Sequence, residues 1–205
     1  MYGVEGFSEA SIVVGEFDAA NFLRSLDGGL AQDTGGGRYR CAQSKAVEQL
    51  FWEGKRDRVP RPITLWLEPV IGVATLARIH YDLGWPQAQL GMQTADYAFD
   101  LAVYSDGTSA RQLIACEVKK SRLEVDGLVA DLQHHSRERS VTPISPSQRH
   151  RNSIKKWGAL RRHQPYFLWI VGPGGYGFAF ELRHTEATTT LHPVDVGRLS
   201  FTRQD

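Results

Sequence analysis

Asp96-Tyr-Ala-Phe-Asp-Leu-Ala-Val-Tyr104, then Ser105-Asp-Gly-Thr108, then Leu113-Ile-Ala-Cys-Glu-Val-Lys-Lys120 is the stretch from which the fold is read. The first run predicts a strand with Tyr97, Phe99, Leu101 and Val103 on one face and Asp96 and Asp100 on the other, because strand side chains alternate. The middle four residues are a turn signal, so residues 96–120 predict a hairpin. Its second strand is apolar until Glu117, and Cys116 within it reads as a small buried hydrophobe.

Downstream, residues 124–137 predict a helix with Val125, Leu128, Val129 and Leu132 on its buried face, able to cross back over the sheet. After the loop at 142–147, Ser147 is placed to cap a basic helix that buries Ile154, Trp157 and Leu160. Residues 166–171 and 176–182 predict two strands joined by the glycine turn at 172–175. Trp157 and Trp169 are expected in the core. Upstream, Val70, Val73, Ala74, Ala77 and Tyr81 predict a helix following Glu68, with Pro69 near its first turn and a stop at Gly84-Trp-Pro86. Ala46, Val47, Leu50 and Phe51 predict another over Cys41–Arg56 that carries Glu48. A short helix fits 19–26, and Gly35-Gly-Gly37 marks a flexible junction. The organisation expected is α/β: an N-terminal extension over 1–40, then a domain over 41–205 with a mixed central sheet flanked by helices and a basic helical insertion at about 138–163.

The 205 residues, 41% hydrophobic and 23% charged, fit one domain and exclude wholesale disorder. No apolar run approaches the roughly 18 residues of a membrane span, and Met1–Ser11 lacks the pattern of a signal peptide, so a soluble cytoplasmic protein with no membrane association is expected. Two cysteines are too few for a disulfide scaffold or a four-cysteine zinc site. The net charge of +1 hides an asymmetry: residues 1–36 carry six acids against Arg24, whereas 137–163 carry eight Lys or Arg against Glu138. That basic segment, through Arg149, Arg151, Lys155, Lys156, Arg161 and Arg162, is expected to grip a nucleic-acid backbone.

The chemistry is read from Asp100, Glu117 and Lys119. Period two puts Glu117 and Lys119 on one face, roughly 6 to 7 Å apart, and hairpin pairing can bring Asp100 beside Glu117. Two carboxylates at one sheet edge call for a counter-charge, and a hard divalent cation binds such oxygen ligands. Magnesium or manganese fits better than zinc, since no thiols or imidazoles converge. The set suits phosphodiester hydrolysis by an activated water, with Lys119 stabilising the developing negative charge.

Glu68, Leu83-Gly-Trp-Pro86, Phe99-Asp-Leu-Ala-Val-Tyr104, Glu117-Val-Lys-Lys120, Gln133 and the late apolar strand together resemble the PD-(D/E)xK nuclease superfamily, in the flavour of restriction and DNA-repair enzymes, over residues 63 to 182. The resemblance implies a restriction endonuclease-like fold and an Mg²⁺-dependent (or Mn²⁺-dependent) nuclease, with DNA as substrate before RNA, serving restriction, defence or repair. It implies Asp100 and Glu117 as metal ligands, Lys119 as the motif lysine and the Val118 carbonyl as a further ligand. It also implies a glutamate from the first core helix, matched by Glu68 with Glu48 as competitor, and Gln133 on the helix after the motif. No proline precedes Asp100, and Arg137 stands where a tyrosine often follows the glutamine. One site per chain is compatible with a homodimer. The alternative expectation is a catalytically inactive nuclease fold that binds nucleic acid or another subunit.

Overall fold

The computed structural model describes residues 13–53, 63–94, 96–108, 111–137, 148–186 and 188–202. In chain order its elements are α1 (Glu16–Asp27), β1 (Gln32–Asp33), β2 (Arg38–Arg40), β3 (Glu48–Gln49), β4 (Phe51–Glu53), β5 (Ile63–Leu65), α2 (Leu67–Ala77, continued by a π-helical turn at Arg78–Asp82), β6 (Leu90–Met92), β7 (Leu101–Tyr104), β8 (Gln112–Val118), α3 (Arg122–Arg137), α4 (Gln148–His163), β9 (Phe167–Val171), β10 (Gly177–His184) and β11 (Thr189–Val194). The chain is mixed α/β. Strands β6 to β11 form a six-stranded sheet in the order β11-β10-β9-β8-β7-β6, antiparallel at every seam except the parallel pair β8–β9, which α3 and α4 bridge.

Alternation along the strands sorts the core into two layers. Leu101, Val103, Ile114, Cys116, Val118, Trp169 and Val171 face α2 with Val70, Val73, Leu76 and Ala77. Ala115, Leu168, Ile170, Phe180 and Leu182 face the other way, with Val125, Leu128 and Leu132 of α3 and Trp157 and Leu160 of α4. Glu117 shares the parity of Ala115, so it belongs to the α3/α4 side. Leu30, Ala31 and Cys41 join the α2 layer, and Ser25 Oγ donates to Val73 O at 2.7 Å, which seats α1 on α2. Cys41 and Cys116 are both free and buried.

The hairpin, the basic helix and the strands after it form as expected, and α2 starts where Glu68 predicts, with Pro69 inside the first turn where its missing N–H costs nothing. Ser147 lies outside the described residues. Three expectations change. The helix expected over 41–56 is absent from the described residues 41–53: residues 48–49 pair with Arg38–Arg40, residues 51–53 pair with Ile63–Leu65, and Gln43 and Lys45 donate backbone N–H groups to Leu90 O and Met92 O, so strand pairing overrides helical spacing. The strand over 96–104 shortens to Leu101–Tyr104: Phe99 packs in the α3/α4 layer and Tyr97 is exposed, because residues 96–99 form a loop in which Asp96 Oδ1 accepts from Ala98 N–H. In that loop region Gln93 and Tyr97 have φ of 53° and 52°. An eleventh strand, β11, closes the sheet edge, where Pro193 is tolerated. No described helix is long and apolar enough to cross a membrane.

Candidate functional site

The β7–β8 register pairs Leu101 with Cys116, which sets Asp100 opposite Glu117, one residue further along each strand. Asp100 Oδ2 accepts the Val118 N–H at 2.8 Å, and this holds the carboxylate against the end of β8. Glu117 is only 2% exposed. Like charges opposed on one sheet face destabilise each other, and Asp100 carries the consequence. Burial and then the Glu117 charge push its pKa up to about 8, against the downward pull of Lys156, Lys119 and the Val118 N–H.

Each Glu117 oxygen is met by an ammonium. Lys119 Nζ lies 2.5 Å from Oε1 and Lys156 Nζ 2.6 Å from Oε2. Lys119 also reaches to 3.8 Å from Glu68 Oε1. Burial works to lower the Lys119 pKa, but Glu117, Asp100 and Glu68 outweigh it and raise the value. Among the described residues no three His, Cys, Asp or Glu side chains gather into a ready metal-binding group. Both Glu117 oxygens are instead committed to lysines.

Two clefts meet at Glu68. One, of about 200 Å³, is lined by Glu48, Trp66, Glu68, Met92 and Asp100 among others; the second, of about 400 Å³, by Glu68, Glu117, Lys119, Leu123, Asp131 and Lys156 among others. Glu68 and Glu48 therefore both face the space in front of Asp100, although their settings are the reverse of those the sequence suggests. Glu68 is in the first turn of α2, and Glu48 is in β3. The Glu48 pKa is raised, first by burial and also by Glu68, although Gln93 Nε2 donates to its Oε2 at 2.5 Å.

Asp100, Glu117, Lys119 and Glu68 thus come together, and Val118 sits between two of them with its N–H committed to Asp100. Gln133 stays apart. It is half-buried and lines neither cleft, because Glu124, Leu128 and Asp131 form the cleft-facing stripe of α3 and Gln133 is about 200° round the helix from Asp131.

The basic helix divides its cations. Arg151, Lys155, Arg161 and Arg162 are exposed, and the Arg149 side chain lies outside the described residues. Lys155 Nζ donates to Tyr97 O at 3.1 Å, and Arg162 Nη2 and His163 Nε2 reach Asp96 Oδ2 at 3.0 and 2.9 Å. Burial would raise the Asp96 pKa, but His163, Arg162, the Ala98 N–H and Thr94 hold it down at about 2. Lys156 departs from the expected outward grip. It turns inward to Glu117 and to Ala98 O, the latter at 2.6 Å. Four side chains of α4 therefore clasp residues 96–98, just before Asp100. A helix-spacing signal for Lys156 exists in retrospect: it falls three residues after buried Ser153 and four before buried Leu160.

Compared with protein-family models, curated proteins and solved structures, the chain matches none.

Proposed function

We propose that this chain is a metal-dependent nuclease of PD-(D/E)xK type that hydrolyses phosphodiester bonds in DNA. The observation that carries the reading is the opposition of Asp100 and Glu117 at the ends of β7 and β8 with Lys119 beside them. The six-stranded mixed sheet with helices on both faces is compatible with a restriction endonuclease-like fold. A DNA-restriction, defence or repair setting follows from the resemblance.

The donors fit Mg²⁺ or Mn²⁺, since they are carboxylate oxygens, and burial followed by the opposed Glu117 charge raises the Asp100 pKa in a way a cation would relieve. Asp100, Glu117 and Glu68, with the Val118 carbonyl, would hold the ion, and Glu48 shares the Asp100 cleft. Bound there, the cation would polarise a phosphoryl oxygen and acidify a water. Lys119 orients the attacking water and offsets negative charge as the water oxygen bonds to phosphorus and the ester P–O bond breaks. The attacking water gives up its proton to solvent, and the leaving oxygen takes one from solvent. The exposed cations Arg151, Arg161 and, at the clasp, Lys155 and Arg162 supply phosphate affinity without sequence readout.

One observation favours the alternative, an inactive nuclease fold that binds nucleic acid or a subunit: the lysines already neutralise Glu117. The separating experiment incubates the chain with linear, circular and single-stranded DNA, and with RNA, in Mg²⁺, Mn²⁺ or EDTA. Cleavage in either metal that stops in EDTA and falls about 10²–10³-fold in Lys119→Ala is expected. Salt-sensitive binding without metal-dependent cutting would leave the inactive module.

A further inference from the structure

We propose that Lys156 is a positioning residue of this site, supplied by the basic helix, and that it competes with a divalent cation for Glu117. The inference rests on the reading of the site as a metal-dependent nuclease centre. Loading the cation then releases Lys156 toward a phosphodiester backbone at the cleft mouth.

The geometry points this way in three steps. A helix lysine that serves only solubility carries its ammonium out into water. Lys156 does the opposite: 15% of its side chain is exposed, its Nζ sits 2.6 Å from both Glu117 Oε2 and Ala98 O, and its ammonium lies 5.5 Å from the Phe99 ring centre. Taking an ammonium out of water is unfavourable unless it is paired, and Glu117 is the pairing group.

Charge then limits what can share the site. Lys119 and Lys156 together balance Asp100 and Glu117 when both carboxylates are ionised. A divalent cation brings the same two positive charges to the same two carboxylates. Both Glu117 oxygens are already held by ammoniums, so an ion that takes either oxygen displaces one of them, and keeping both lysines beside the ion in a partly dehydrated cleft adds like-charge repulsion.

Attachment decides which one. Lys119 follows β8 directly, its backbone N–H is bound to Val171 O at 2.9 Å, and Glu68 offers it a second carboxylate. Lys156 is on a helix that borders the 400 Å³ cleft, and its remaining partner is the Ala98 carbonyl. It can swing outward beside the exposed Lys155 without breaking the sheet. Phosphate attraction for Lys156 and cation occupancy at Glu117 then assist one another, because coupling between two sites is reciprocal.

The test measures Mn²⁺ binding calorimetrically to the full chain, without DNA, at constant ionic strength. Wild type is compared with Lys156→Gln, which keeps an N–H donor but no charge, with Lys156→Arg, which keeps the charge, and with Glu117→Gln. Thermal melts without metal check that each variant folds, and Lys156→Met stands in if the glutamine variant does not. Lys156→Gln is expected to bind Mn²⁺ about tenfold tighter than wild type and Lys156→Arg to stay near it. In wild type alone, Mn²⁺ should speed amide hydrogen exchange in α4 around residue 156. Binding by the glutamine variant with wild type below detection also supports competition. Equal or weaker affinity in Lys156→Gln, with Glu117-dependent binding in wild type, overturns the competition and leaves the metal-dependent reading standing. No Mn²⁺ binding in either protein overturns both.

Discussion

Asp100→Asn is expected to raise the melting temperature of the metal-free protein at pH 8.5 while lowering metal-dependent cleavage by about 10²–10³-fold. The substitution is nearly isosteric, and the amide oxygen can still accept the Val118 N–H. What it removes is a carboxylate held opposite Glu117, whose folded-state pKa of about 8 lies far above the ordinary 3.8. The sign follows from proton binding. Between those two values the unfolded chain ionises Asp100 freely while the folded protein keeps it protonated, so stability falls as pH rises through this range and the full penalty is present above about 8. The gain from Asn should therefore be negligible near pH 4, grow through neutrality and level off above pH 8, as a rise of several degrees in melting temperature. Melts of both proteins from pH 4 to 9 check it, and a variant that melts with or below wild type at pH 8.5 refutes it. The same proton predicts that cation binding strengthens with pH up to about 8, since the ion must displace it.

Glu117→Ala is expected to act in the opposite direction and lower stability by about 2–4 kcal/mol, because removing one partner of a buried ion pair strands the other. Here two partners are stranded, since Lys119 and Lys156 lose the carboxylate between them. Their side chains keep 21% and 15% of their exposure, so some water reaches them and the effect stays below that of a sealed site. Urea denaturation of Glu117→Ala, Lys156→Met and the double variant measures this. The double variant should recover part of the loss, because it removes one stranded ammonium along with its partner. Additive losses would mean that the 2.6 Å contact contributes nothing.

How far these features are legible in the sequence depends on whether the contacts are local. Glu117 and Lys119 stand out because an apolar strand runs straight into them, and Asp100 is placed near them by a legible hairpin, although its exact register passes a shift between Val103 and Tyr104 that the turn residues do not announce. The stretch from Cys41 misleads because Ala46, Val47, Leu50 and Phe51 keep helical spacing, while the partners that decide its conformation lie outside it: Arg38 and Tyr39 for Gln49 and Glu48, Leu65 and Thr64 for Phe51 and Trp52, and Leu90 and Met92 for the Gln43 and Lys45 N–H groups. Gln133 follows the resemblance rather than any contact, and helical phase turns it from the cleft. Lys156 is hard to read as a site residue because charge patterning assigns any lysine of a basic run to solvent, and only its helical spacing from Ser153 and Leu160 points the other way. Only the approach of α4 to β8, 39 residues apart at this pair, turns it inward.

The clasp of α4 on residues 96–98 bears on one part of the site. Gln93 and Tyr97 hold left-handed backbone angles that non-glycine residues adopt at a cost of roughly 1–3 kcal/mol each. Lys155, Lys156, Arg162 and His163 supply contacts that offset this strain. Glu117 rides on a strand paired on both sides and stays where it is. Asp100, tied to that strand through the Val118 N–H, follows directly from the loop that α4 grips, so the helix that carries the exposed cations also braces one of the two opposed carboxylates.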